Sequence, residues 1–559
     1  NGNGRHSSLE QQLLTQTLAT ARRQSVPYKR ELDSLDRQDF LDYVGRCKGR
    51  LLYADLGHVQ IPEAAFEIAG QAVDPSEQLT WYLDLYRLYE AVRLRQGVVT
   101  FADMLMTGWE ALVTFPDVCE RVQQRYRAVL VDEYQDINLA QSEILHLITR
   151  AHDNYMAIGD DDQTIYEWRG ASPHFILQFP KRYNAATYLI SDNFRCPAAP
   201  LVLANRVIEK NRQRQPKRLS LTRGFVGETA VSIDTDLNQM SRHIVSRMRR
   251  LHKAGRPLND IAVLVRLNAQ TPPIEQELIA HNIPYRVSRP FYERNEIKTL
   301  IQYCRIAWIE QQLREGKRPL TNPTARHTFA EAWHNICNRP KRYVNADMRR
   351  QLLDTFNQQT QPLSITLSRK AESTPQPWLQ EPLAQLADDI AWLAHNLHKP
   401  ADKILRNLDI RLDYQTFLRH SSGFRQTGEG RAISVQTFIT YAKGKGSLLA
   451  FMQHLRDLAQ QKVGQNEAAP KDAVTLSTIH QAKGLEWPVV FIPQCNQGTI
   501  PFVPERAEAS PELTAVLAEE RRLFYVAITR TREQLYLHLL KKESVSRFLN
   551  EAGYRTVLD

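Results

Sequence analysis

The chain has 559 residues, 42% of them hydrophobic and 24% charged, with 72 Lys and Arg against 62 Asp and Glu for a formal charge of +10. That length exceeds what one hydrophobic core supports, so several domains are expected, and the ordinary apolar-to-charged balance excludes a long disordered tract. No apolar run approaches the roughly 20 residues that cross a bilayer, no signal pattern opens the chain, and six scattered cysteines without a CxxC suggest neither a zinc site nor a disulfide framework.

Membrane and export readings therefore drop out, and a reducing cytoplasm fits. The basic excess suits a phosphate-backbone partner, or is simply a solvated surface. Helical periodicity covers Leu9 to Arg22, Asp36 to Cys47 and Trp81 to Leu94, where Tyr82, Tyr86 and Tyr89 read as packing residues. From Phe101 an amphipathic helix leads to the apolar run Ala128 to Val131, and a helix from Ala140 to Thr149 leads to Met156-Ala157-Ile158. Short apolar runs alternating with helices predict a parallel α/β sheet. The alternation returns at Ile261 to Val265, Val474 to Leu476, Val489 to Ile492 and Gln534 to Leu539. Between roughly 300 and 465 the pattern is helical, with breaks at Pro319 to Pro323 and Pro375 to Pro382, as for a helical insertion splitting a second α/β domain.

Five segments carry chemistry. A strand ending in Asp132-Glu133 places two carboxylates at the carboxyl edge of a sheet, where one acid can hold Mg²⁺ and the next can activate water; an acidic helix cap is the alternative. Asp160-Asp161-Asp162 repel one another unless a metal-nucleotide site or full solvation offsets them. Tyr166, Trp168 and Arg169, just beyond, form the kind of set on which unpaired bases stack, with a Trp buried in an ordinary core as the alternative. On a helix from Glu519, Arg530 shares a face with Leu523, Val526 and Ala527, so its guanidinium requires an anion, either a nucleotide phosphate or an intramolecular carboxylate. The loop Thr475 to Trp487, holding Thr478, His480, Lys483 and Gly484, suits phosphate and sugar contacts, and Asn193-Phe194-Arg195 sets an aromatic beside an arginine.

In this order the segments resemble motifs II to VI of the UvrD/Rep/PcrA family of superfamily I helicases, with Phe101 to Leu105 and Phe291 to Lys298 as further family-like stretches. The resemblance implies two RecA-like parallel-sheet domains, the first incomplete here, each with a helical insertion. The divisions expected are 1–98 (helical insertion of the first domain), 99–190 (its remainder), 191–300 (second domain, first part), 301–465 (its helical insertion) and 466–559 (second part). It implies that Asp132 holds Mg²⁺, Glu133 activates water, and Gln163, Arg195 and Arg530 reach the γ-phosphate of ATP. Phe194 stands in place of an adenine-stacking tyrosine, with Gly484 and Glu486 against the nucleotide and Glu486 at the ribose. Tyr166, Trp168, Arg169, Thr478 and His480 match positions that touch single-stranded DNA.

The activity implied is an ATP-dependent 3′-5′ DNA helicase or translocase in repair, replication or recombination, acting on single-stranded and 3′-tailed duplex DNA. A catalytically inactive single-stranded DNA or protein-binding module is the alternative. Two departures stand out. Asn338 to Asn345 has no glycine where the family has a Gly-Ile-Gly turn, and no G-x-x-x-x-G-K-[ST] occurs in the 559 residues. The expectation is that such a loop precedes Asn1 in the natural protein. The chain alone would then hydrolyse ATP at background rates and leave an apolar gap beside Val129 to Val131.

Overall fold

The structure, a computed structural model, describes residues 9–558 except 25, 289, 360, 423–424, 464–471 and 504–509, so the division expected at 465/466 falls outside the described residues. Two parallel sheets organise the molecule. The first pairs β1 (Val129–Val131) with β2 (Tyr155–Ala157), Leu130 lying opposite Met156. The second has six parallel strands: β3 (Glu228–Asp234), β4 (Ile261–Val265), β5 (Tyr285–Arg286), β6 (Val474–Thr478), β7 (Trp487–Ile492) and β8 (Thr531–Leu540), in the order β3-β8-β7-β4-β6-β5.

Side-chain alternation along a strand explains why this second sheet reads as unbroken apolar runs. Ala262, Leu264, Val490, Ile492, Leu535 and Leu537 face one helical layer, built on helices Ala198–Ile208 and Pro511–Ile528. Ile261, Val263, Val265, Val489, Phe491 and Tyr536 face the other, built on Leu237–Lys253 and Thr271–Ala280. All five residues of β4 are fully buried, and each large aliphatic one contributes about 1.5–3 kcal/mol by leaving water.

The first sheet is covered on one side. Val131, Tyr155 and Ala157 pack with Tyr134, Ile137 and Phe179. On the opposite side Leu130 is 67% exposed and Met156 52%.

The N-terminal helices Leu9–Arg23, Arg37–Gly49 and Tyr82–Gln96 enclose an aromatic core. Tyr82, Tyr86 and Tyr89 are each 1% exposed, so the packing reading holds. Fully buried Lys48 bonds Glu90 at 2.6 Å and also Asp103, tying the second of these helices to helix Phe101–Thr114. Asp103 is fixed in turn by a capping box with Thr100.

A separate helical core runs from Phe291 to Leu458. Its proline break is shorter than expected. Pro377 opens helix Pro377–His395 and Pro382 lies inside it. Proline at the first helical position costs no hydrogen bond, so the helix begins there, and Pro382 five residues on removes only one donor.

Candidate functional site

β1 delivers Asp132 and Glu133 at its carboxyl end, both exposed. Glu133 has φ 52°, a left-handed conformation that costs a non-glycine residue about 1–2 kcal/mol, and it turns the chain into the short helix Tyr134–Asp136. Asp132 Oδ1 accepts the Glu133 N–H at 2.9 Å. Fully buried Gln135 spans the two acidic loops: its Nε2 donates to Glu133 and its Oε1 accepts the Asp160 N–H at 2.9 Å. The residue before Asp160 must be Gly159, because a Cβ there would meet Gln135 Oε1 at 2.3 Å.

The acidic triplet corrects an expectation. Full solvation does not offset it, since Asp161 is 4% and Asp162 1% exposed, while the three carboxylates lie within 4.8 Å of one another, close enough to hold a metal ion. Two cations offset it. Lys217 Nζ lies 2.9 Å from Asp160, 3.1 Å from Asp162 and closer still to Asp161. Arg214 grips Asp162 with two bonds of 2.9 and 2.6 Å. Burial still pushes the Asp162 carboxyl upward, while the bond from Arg214 opposes the shift.

Arg530 requires a second correction. Its helix ends at Ile528 with Thr529 as cap, so Arg530 stands beyond the helix at the entry to β8 rather than on a helical face. It is nevertheless 1% exposed. Its hydrogen-bond partners among the described residues are neutral acceptors: Val526 O at 3.0 Å, Leu485 O at 3.3 Å, Thr529 Oγ1 at 3.2 Å and Gln163 Oε1 at 3.3 Å. Burial, and secondly Arg195, lower its pKa to about 10. Arg195 itself pairs with Glu486, which also lies 3.6 Å from Arg532. Phe194 is 75% exposed, and Gly484 has φ 80° with open space at its Cβ position.

The residues expected along DNA fall together. Tyr166 donates its hydroxyl to His480 O at 2.9 Å, and their rings lie 6.3 Å apart. The Arg169 guanidinium stacks 4.6 Å from the Trp168 ring and 5.4 Å from that of Tyr166. Trp168 is 38% exposed, whereas Thr478 is buried, its hydroxyl accepting Gln481 N–H at 3.4 Å. Burial, then Arg266 and Arg169, lower the His480 pKa to about 3, so the ring is neutral. Beside them, burial and then Glu167 and Glu520 raise the Glu519 carboxyl to about 7.

Lys483 entered the sequence reading only as part of its loop, with no role of its own. Its ammonium bonds Asp136 at 2.5 Å and Gln163 O at 2.8 Å and lies 3.6 Å from Glu133. Its place in a loop of hydroxyls, His and Gly was the available signal. For Gln135 the signal was adjacency to the acids. Arg214 and Lys217 carried none, since they sit in a generally basic stretch. Asp132 is the acid of this group with no cation partner among the described residues, and an exposed carboxylate so placed fits a hard divalent cation.

Acids at the edge of one parallel sheet meet a buried lysine side chain from another at Asp136 and Lys483, and Gln163 meets buried Arg530 beside them, in a mixed α/β protein. The UvrD/REP helicase N-terminal domain family matches residues 15–184 and the UvrD-like helicase C-terminal domain family matches 188–542, so the chain belongs to the UvrD-like helicase family. It is similar to the ATP-dependent DNA helicase PcrA of Bacillus subtilis (strain 168), 31% identical over 504 residues, covering 85% of this chain and 62% of the relative. It is also similar to DNA helicase II of Escherichia coli (strain K12), 30% identical over 488 residues, covering 83% of this chain and 62% of that relative. The chain thus spans about three fifths of the length of the curated relatives it matches.

Proposed function

We propose that the protein is an ATP-dependent 3′-5′ DNA helicase and single-stranded DNA translocase, acting on single-stranded and 3′-tailed duplex DNA in repair, replication or recombination in the cytoplasm. The observation that carries this reading is Arg530: a buried guanidinium held only by neutral acceptors among the described residues, touching Gln163 across the two family domains. A buried cation without counter-charge is costly, and a γ-phosphate would offset it with bidentate geometry. The names of the relatives support the same activity.

In this reading Glu133 takes the proton of the attacking water, Gln163 orients at the γ-phosphate, and Arg195 and Arg530 balance the charge that develops there. Asp132 would hold Mg²⁺, which when bound neutralises phosphate charge. Phe194 stacks on adenine, and Glu486 leaves Arg195 for the ribose beside Gly484. Tyr166, Trp168, Arg169, Thr478 and His480 form the DNA track, and Lys483 links it to the acids. The divisions at 98/99, 190/191, 300/301 and 465/466 mark the two motor domains and their insertions.

The experiment is ATP turnover by the intact protein with and without single-stranded DNA. DNA-stimulated turnover, lost in Arg530→Lys, supports the reading. Turnover indifferent to both DNA and Arg530 contradicts it.

A further inference from the structure

Lys217 lies in the part of the chain matched by the C-terminal family domain, yet its ammonium sits among three carboxylates of the N-terminal one. Its side chain is 14% exposed, and those of Asp161 and Asp162 are 5% and 1%. The grip is reinforced by Arg214 on Asp162 and by the Gln215 N–H, which donates to Asp161 Oδ2 at 2.9 Å.

Asp160 is the hub. Its Oδ1 meets Lys217 at 2.9 Å, its Oδ2 accepts Gln163 Nε2 at 2.8 Å, and its backbone N–H donates to Gln135 Oε1 at 2.9 Å. An ionised carboxylate only accepts, so Gln163 must turn its NH₂ toward Asp160, which leaves its carbonyl oxygen for Arg530. The same logic orients Gln135: its oxygen is taken by the Asp160 N–H, so its NH₂ faces Glu133. An amide free of these constraints could flip end for end.

We infer that Lys217 is a positioning residue for ATP hydrolysis, pinning Asp160 so that the Gln163 amide points its oxygen at Arg530 and, through Gln135, holding Glu133 in place. The inference rests on the ATPase reading above. It gives the contact between the two family domains a chemical consequence: when Lys217 leaves the acidic triplet, Gln163 and Glu133 lose their orientation together.

The test is steady-state ATP hydrolysis by the intact protein with oligothymidine, comparing wild type, Lys217→Met and Lys217→Arg. Misplacing a reacting group by about 1 Å costs on the order of 100-fold. Lys217→Met should therefore lower kcat by roughly 10- to 100-fold with KM for ATP within about threefold, and Lys217→Arg should recover most of the loss. Should Lys217→Met fail to fold, the charge-balanced Lys217→Met/Asp161→Asn protein takes its place with the same expectation. Unchanged kcat, a loss confined to KM, or a loss that arginine does not rescue overturns the inference while leaving the ATPase reading intact. A wild-type protein without DNA-stimulated turnover overturns both.

Discussion

The guanidinium of Arg530 donates from Nη2 to Oε1 of Gln163 at 3.3 Å, joining positions 367 residues apart and belonging to different family domains. Each is held from its own side, Arg530 by the Val526 and Leu485 carbonyls and Gln163 by Asp160. The pair is therefore a contact held in place from both family domains.

Arg530→Lys should lower DNA-stimulated ATP hydrolysis in the intact protein by roughly 10³-fold, the low end of what a charge-stabilising arginine contributes to phosphoryl transfer. A lysine cannot reproduce the fork that reaches Val526, Leu485 and Gln163 at once. Single-stranded DNA affinity, measured without nucleotide, should stay near the wild-type value. Equal losses in both assays would assign Arg530 to folding.

Trp168→Ala should weaken single-stranded DNA binding by about 1–3 kcal/mol with little change in salt slope, because the lost contact is base stacking. Arg169, stacked over that ring, faces outward as a cation, and Arg169→Ala should reduce the slope. Fluorescence titration at several salt concentrations separates the two. Wild-type affinity in both variants would remove these residues from the track.

Glu519 gives a pH signature. Its folded pKa of about 7 lies above its ordinary value of 4.5, so the folded state binds the proton more tightly than the unfolded chain. Ionised Glu519 thus costs stability above pH 7, and the cost fades as pH falls toward the ordinary carboxylate range. Glu519→Gln should raise the thermal midpoint at pH 8, the gain shrinking as pH drops through 7 and vanishing near 4.5. A gain independent of pH would mean that packing, not charge, is responsible.

The strands β4, β7 and β8 were legible because they are largely buried and read as apolar runs, Ile261 to Val265 matching its strand residue for residue, whereas β5, the two-residue strand Tyr285–Arg286, carried no such signal. The acids Asp132 and Glu133 were legible because a strand's carboxyl end is where such residues act. The left-handed φ of Glu133 was not, since nothing local distinguishes it from a helix cap. Arg530 was placed on the wrong element because helical spacing continues on paper past Thr529, while the chain has already turned into β8. The cations facing Asp160 to Asp162 escaped because Lys217 lies 56 residues from Asp161, and a basic stretch carries no mark of its partner.

Glu133→Gln in the intact protein tests the central claim most directly, with ATP binding and ATP hydrolysis measured on the same preparation in the presence of oligothymidine. The account predicts ATP affinity close to wild type and DNA-stimulated hydrolysis reduced to background, because the amide cannot accept the water's proton. Wild-type hydrolysis rates in Glu133→Gln would contradict it.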